Sequence, residues 1–171
     1  TPETVHALAR AMRERTDKPV TVKHRIGIDG RESYEEMLEF VDAVAAAGIE
    51  RFIVHARIAI LEGLTPKQNR SVPPIRYDDV YRLKRDRPEL EIGINGHVRT
   101  VEEIETHLQR VDTVMVGRAA YEHAWLFTDV DRRIFGDPPR EITRAEVVEA
   151  LYPYMDRLDE AGMPPRRMIN H

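Results

Sequence analysis

The chain has 171 residues, 42% hydrophobic and 33% charged, which suits one ordinary globular domain or part of a larger one and excludes a disordered tail. No apolar run approaches the roughly 18 residues of a membrane span, and Thr1-Pro2-Glu3-Thr4 lacks the basic-then-apolar start of a signal peptide. The absence of cysteine removes disulfides, thiolate metal sites and a cysteine nucleophile from these residues and fits a cytoplasmic setting, while a net charge of −4 means that a nucleic-acid partner needs a local basic patch.

In chain order, Val5, Leu8, Ala9 and Met12 have helical spacing and predict a helix over Glu3–Arg15, broken by Pro19. Val20–Lys23 is a short β-rich run, followed by a loop over Gly27–Gly30. Ser33–Ala47 reads as a helix with Tyr34, Met37, Leu38, Val41, Val44 and Ala45 on one stripe. Ser33 and Glu36 form a capping box, and Gly48 closes the helix. Arg51–His55 is the second strand. A long loop from about Ala56 to Arg76 carries Gly63, Pro66, Pro73 and Pro74, and loops of that length inside compact domains are usually functional or disordered.

Tyr77–Arg87 is then a helix with Val80, Tyr81 and Leu83 inward, ended by Pro88. Leu90–Ile94 is the third strand, Asn95-Gly96 a turn, and Val101–Leu108 a helix started by Thr100. Thr113–Val116 is the fourth strand, closed by Gly117, and a helix follows near Ala119–Arg133. After Phe135 the pattern changes. Residues 136–142 read as a linker, and Thr143–Ala161 as an amphipathic helix with Val147, Val148, Leu151, Tyr154 and Leu158, bent at Pro153. Arg166–His171 begins a further element.

A helix and then strand–helix repeated implies parallel strands joined by crossover helices. Such strands build either an open doubly wound sheet or half of an eight-stranded barrel, and a complete barrel takes about 200–250 residues. The expectation is therefore an α/β fold: the C-terminal half of a (β/α)8 TIM barrel over residues 1–135, then the start of an α-helical domain over 143–171.

Chemistry in parallel α/β folds gathers where strands end. The four endings here are Lys23-His24-Arg25, His55-Ala56-Arg57, Asn95-Gly96-His97 and Gly117-Arg118. Lys23 reads either as a snorkelling lysine or as a cation aimed at an electron-rich ring. His55 reads either as a structural histidine or as a donor to a ligand. Asn95-Gly96 and Gly117-Arg118, each weak alone, together match the paired turns that form a phosphate site after the last barrel strands. Glycine lets backbone N–H groups approach the anion, and Arg118 adds a charged fork. Lys67, Asn69 and Arg70 on the proline-stiffened loop, with Arg57 upstream, read as solvated charge or as an RNA or nucleotide contact. Asp112 lies at a strand start, away from that edge, and the seven histidines show no metal-ligand spacing.

Read together, these stretches resemble the tRNA-dihydrouridine synthases, most closely the DusA branch. They are Val20–Gly27, Val54–Arg57, Gly63–Arg70 with Pro73-Pro74, Ile94–Gly96 and Val111–Tyr121, the most specific being Pro66-Lys67-Gln68-Asn69-Arg70. The resemblance implies an FMN-binding barrel followed by a helical domain that helps hold tRNA, with these strands as the fifth to eighth. It also implies reduction of a D-loop uridine, at positions 20 and 20a in that branch, to dihydrouridine. In that family NADPH reduces FMN, the flavin N5 passes hydride to uracil C6, and a cysteine protonates C5. Carried over by residue, Lys23, His55, Asn95, Gly96, His97, Gly117 and Arg118 would hold FMN, and Arg57, Pro66, Lys67, Asn69 and Arg70 would meet the tRNA. No metal, membrane or obligate protein partner is expected.

Two departures stand out. His97 occupies a position where the family usually has a second glycine, and it can serve through its backbone provided its φ is not strongly positive. The family's cysteine lies in the N-terminal half, and these residues have none. The expectation is a fragment, inactive alone, whose parent is the enzyme. The rival readings are another FMN- or phosphate-binding barrel oxidoreductase, and a non-catalytic RNA- or phosphate-binding module.

Overall fold

The computed structural model describes residues 1–163, so the element expected over Arg166–His171 lies outside the described residues. The chain clusters into two compact units, Thr1–Gly117 and Arg118–His171. The first is α/β. Its elements are α1 (Pro2–Arg13), β1 (Val22–Arg25), α2 (Tyr34–Ala45), β2 (Arg51–His55), α3 (Tyr77–Asp86), β3 (Glu91–Asn95), α4 (Val101–Leu108) and β4 (Thr113–Met115), with a 3-10 turn at Gln68–Arg70. The strands form one parallel sheet in the order β1-β2-β3-β4, as the alternation of elements requires.

Alternation along each strand sorts the side chains onto two faces. Phe52, Val54, Ile92 and Ile94 lie on the helix-covered face and are fully buried. Met37, Val41 and Val44 of α2 and Val80 and Leu83 of α3 belong to the same core. Each such side chain contributes on the order of 1.5–3 kcal/mol relative to exposure. The stripes read for α2 and α3 are thus the buried ones. The capping box of Ser33 with Glu36 is formed, and Thr100 and Glu103 form another at the start of α4.

One expectation in this unit is corrected. The first strand runs from Val22 to Arg25, not from Val20 to Lys23. Its register pairs Val22 with Phe52 and Arg25 with His55, and the ladder to β2 starts at Val22, with Val20 and Thr21 outside it. Polar His24 and Arg25 serve the ladder as well as valine does, because the ladder is made by backbone groups. In α1, Leu8 and Met12 are each 55% exposed and only Ala9 is buried. The helix meets α2 through a narrower line, which includes a 2.8 Å bond between His6 Nδ1 and the Ala43 carbonyl.

Among its described residues the second unit is helical. The single helix expected over Ala119–Arg133 is three pieces: α5 (Arg118–Glu122), a 3-10 segment over Ala124–Asp129 and a π turn over Asp131–Phe135. His123 leaves the helical basin at φ −141°, ψ 51°, which ends α5, and Gly136 closes the π turn at φ 76°. The sequence 136–142 falls within this unit. It precedes α6 (Arg144–Glu160), which is capped by a Thr143–Glu146 box and contains Pro153. Val147, Val148, Leu151 and Tyr154 stay 40–49% exposed. Among the described residues no helix is long and apolar enough to cross a membrane.

Candidate functional site

The register of the sheet fixes which side chains stand together. On the face opposite the helices, Lys23, Ile53, Gly93 and Thr113 form one row across the four strands, and Arg25, His55, Asn95 and Met115 form the next. Lys23, His55 and Asn95 therefore share one face near one end of the sheet. In the lower row Gly93 has no room for a side chain, since a Cβ there would lie 2.5 Å from Thr113 Oγ1. The upper row is held laterally: Asn95 Nδ2 donates to the Met115 carbonyl at 2.7 Å, and Ala56 N–H donates to the Asn95 carbonyl at 2.9 Å.

Beyond β3 the backbone turns sharply. Gly96 has φ 123° and His97 φ 58°, the one non-glycine residue with positive φ among those described. A Cβ on Gly96 would lie 3.2 Å from the His55 ring, so the imidazole packs directly on the turn. The condition set for His97 is not met, since at φ 58° it takes the left-handed conformation that glycine adopts more freely, and its imidazole is exposed. Gly117 follows β4 by two residues. A side chain there would meet only ordinary contact from Asn95 Nδ2, at 3.7 Å, so within this unit nothing forbids one. Arg118 is exposed and opens α5 in the second unit.

The electrostatics of this edge are one-signed. Burial lowers the Lys23 ammonium below its ordinary pKa, and neighbouring Arg25 lowers it further. Burial likewise lowers Arg25, with the Arg57 and Arg70 guanidinium groups adding repulsion. Groups that repel one another and are partly stripped of water favour an anionic guest, which relieves both costs.

The loop after β2 is built by these arginines. Arg25 Nη1 donates to the carbonyls of Ile58 at 2.7 Å and Asn69 at 2.9 Å. Arg57 is buried, and its Nη1 donates to the carbonyls of Ser71, at 3.2 Å, and Pro73. Asn69 closes the loop on itself: its Oδ1 accepts from Ile60 N–H at 2.8 Å, and its Nδ2 donates to the Ile60 carbonyl at 2.6 Å. Asp29 joins the preceding loop by accepting from the N–H groups of Leu61 and Glu62. Pro66, Lys67 and Arg70 are exposed on the outside of this frame. Of the loop residues read from the sequence, three thus face solvent, while Arg57 and Asn69 hold the loop's shape.

Sequence reasoning missed two residues here. Arg25 was legible as a strand ending, but its two carbonyl acceptors lie 33 and 44 residues away. Tyr77, read only as the first residue of a helix, donates its hydroxyl to the Gly96 carbonyl at 2.6 Å. Asp112 accepts from Ile92 N–H at 2.8 Å and pairs with Lys84 at 2.8 Å, a structural role at the other edge of the sheet.

Comparison with known proteins gives a consistent picture. Residues 1–171 match the family model described as dihydrouridine synthase (Dus). A Synechocystis sp. protein named tRNA-dihydrouridine(20/20a) synthase is 53% identical over 170 residues, covering 99% of this chain and 51% of that protein. A Pseudomonas putida protein of the same name is 47% identical over 170 residues, covering 99% and 51%. One from Escherichia coli (strain K12) is 49% identical over 149 residues, covering 86% and 43%. The chain spans about half the length of the curated relatives it matches.

Proposed function

We propose, given that the chain belongs to the dihydrouridine synthase family, that the whole protein reduces uridine to 5,6-dihydrouridine in the tRNA D-loop, at positions 20 and 20a, with FMN as cofactor and NADPH as reductant. In this reading the four strands are the fifth to eighth of a (β/α)8 barrel and the second unit begins a helical tRNA-binding domain. The observation that carries it is the in-register row of Arg25, His55 and Asn95, with Lys23 below and the Gly96-His97 turn above, on one cationic edge.

The residues present fit the cofactor. The sharp turn at Gly96 and His97 would offer backbone N–H groups to an anion, His97 doing so at the cost of a positive φ. His55 walls that turn, and Asn95 is anchored to Met115 beside it. Asn95, Gly96, His97 and Gly117 would hold the phosphate, with Arg118 added on the family resemblance. Lys23, exposed on this face and repelled by Arg25, would stabilise negative charge on the ring. A bound flavin supplies hydride-transfer chemistry.

Lys67 would meet the tRNA from the rim of the loop with Pro66 beside it, and Arg70 would sit near the target base. Arg57 and Asn69 would serve tRNA binding by holding that rim in place. Fixing the loop beforehand lowers the ordering cost of binding. These residues include no cysteine, so the proton for uracil C5 comes in this reading from a part of the protein outside them. The test is direct: the purified full-length protein should carry a flavin spectrum and form dihydrouridine in tRNA with NADPH. A colourless protein that leaves uridine intact would overturn the reading.

A further inference from the structure

We infer that Tyr77 is a positioning residue for the phosphate grip, acting through the Gly96 carbonyl. The inference rests on the FMN reading above and adds a residue that neither the strand endings nor the long loop contains. Tyr77 opens α3 and sends its hydroxyl across 19 positions of chain to donate to the Gly96 carbonyl at 2.6 Å. The Gly96–His97 peptide is trans, so its N–H points opposite to its C=O. Holding the carbonyl on Tyr77 therefore aims the His97 N–H away from α3. That N–H has no acceptor among the described residues. It is a donor in the turn where the phosphate is proposed to sit.

Gly96 is the reason such a hold is needed. At φ 123° it occupies backbone space that only glycine enters freely, and glycine's freedom lets the peptide rotate. A rotated peptide would present its carbonyl oxygen to the anion in place of the amide. The tyrosine is itself held. Its ring meets the buried His107 edge-on at 4.5 Å, and His107 Nδ1 pairs with the Tyr81 hydroxyl at 2.7 Å. The side chain is thus fixed by the edge-on ring contact at one end and by the Gly96 carbonyl at the other. Burial raises its pKa, so the hydroxyl keeps its proton and remains a donor.

The experiment compares FMN with riboflavin, which lacks the phosphate, on full-length protein stripped of flavin. The variants are Tyr77→Phe, which keeps the ring and removes only the hydroxyl, and Tyr81→Phe, which removes a buried hydroxyl that does not touch Gly96. Tyr77→Phe should weaken FMN binding about tenfold, or roughly 1.4 kcal/mol, and leave riboflavin binding unchanged. Tyr81→Phe should leave the FMN-to-riboflavin preference intact, whatever it does to the melting temperature. Equal losses for both ligands in Tyr77→Phe, or no loss for FMN, would overturn the inference while sparing the cofactor reading. A wild-type protein that binds FMN no better than riboflavin would overturn both.

Discussion

His97 offers a test of the turn that needs no assumption about function. At φ 58° it sits in the left-handed region, which costs a residue with a Cβ roughly 1–2 kcal/mol relative to right-handed backbone. Glycine escapes that cost but loses more freedom on folding, which returns about 0.4–1 kcal/mol. The balance puts His97→Gly ahead of His97→Ala by about 0.5–1 kcal/mol. Comparing the two variants removes the imidazole from both, so the difference reports the backbone alone. Urea unfolding of the full-length protein, followed by circular dichroism, resolves a gap of that size. An alanine variant as stable as the glycine variant would refute the positive φ. Because the proposed contact at 97 is through its N–H, His97→Gly should also bind FMN within about threefold of the wild type.

Three further outcomes follow. Burial lowers His24 from 6.5 to about 4, against the opposing bond of its Nδ1 to the Arg25 carbonyl. The folded state therefore takes up this proton later than the unfolded chain. The stabilisation is complete above about pH 6.5 and is lost as pH falls toward 4, by up to about 3 kcal/mol. Urea titrations at several pH values should show this slope in wild type and not in His24→Leu; parallel curves would refute it. Asn69→Ala removes both side-chain bonds to Ile60, each worth about 0.5–1.5 kcal/mol, and should speed proteolytic cutting between residues 58 and 72 severalfold. Unchanged cutting would show that the clip does not hold the loop. Lys23→Met should leave flavin bound but slow its reduction by NADPH about tenfold or more in stopped-flow absorbance, roughly 1.4 kcal/mol in the barrier. A wild-type rate would remove Lys23 from the ring.

What the sequence made legible was local. Stripes such as Met37-Val41-Val44 and Val80-Leu83, and the Ser33–Glu36 cap, were readable because their partners lie within a turn or two of the same helix. The strand endings were readable for the same reason, and the register then aligned three of them on one face. Periodicity names what is apolar but not what covers it, and Leu8 and Met12, on the helical spacing of α1, lie half exposed. The start of β1 differs from the sequence reading because composition at Val20-Thr21 favours a strand, while the pairing with β2 starts only at Val22. The break at His123 is a single backbone departure, with no glycine or proline to announce it. Arg25 and Tyr77 act over tens of residues, and no spacing rule connects them to Asn69 or Gly96.

The most direct test of the account is a crystal structure of the full-length protein with FMN bound. The account predicts the phosphate within hydrogen-bonding distance of the His97 N–H, with the flavin ring lying over Lys23. A flavin whose phosphate sits elsewhere, with the turn at 96–97 facing bulk solvent, would contradict it.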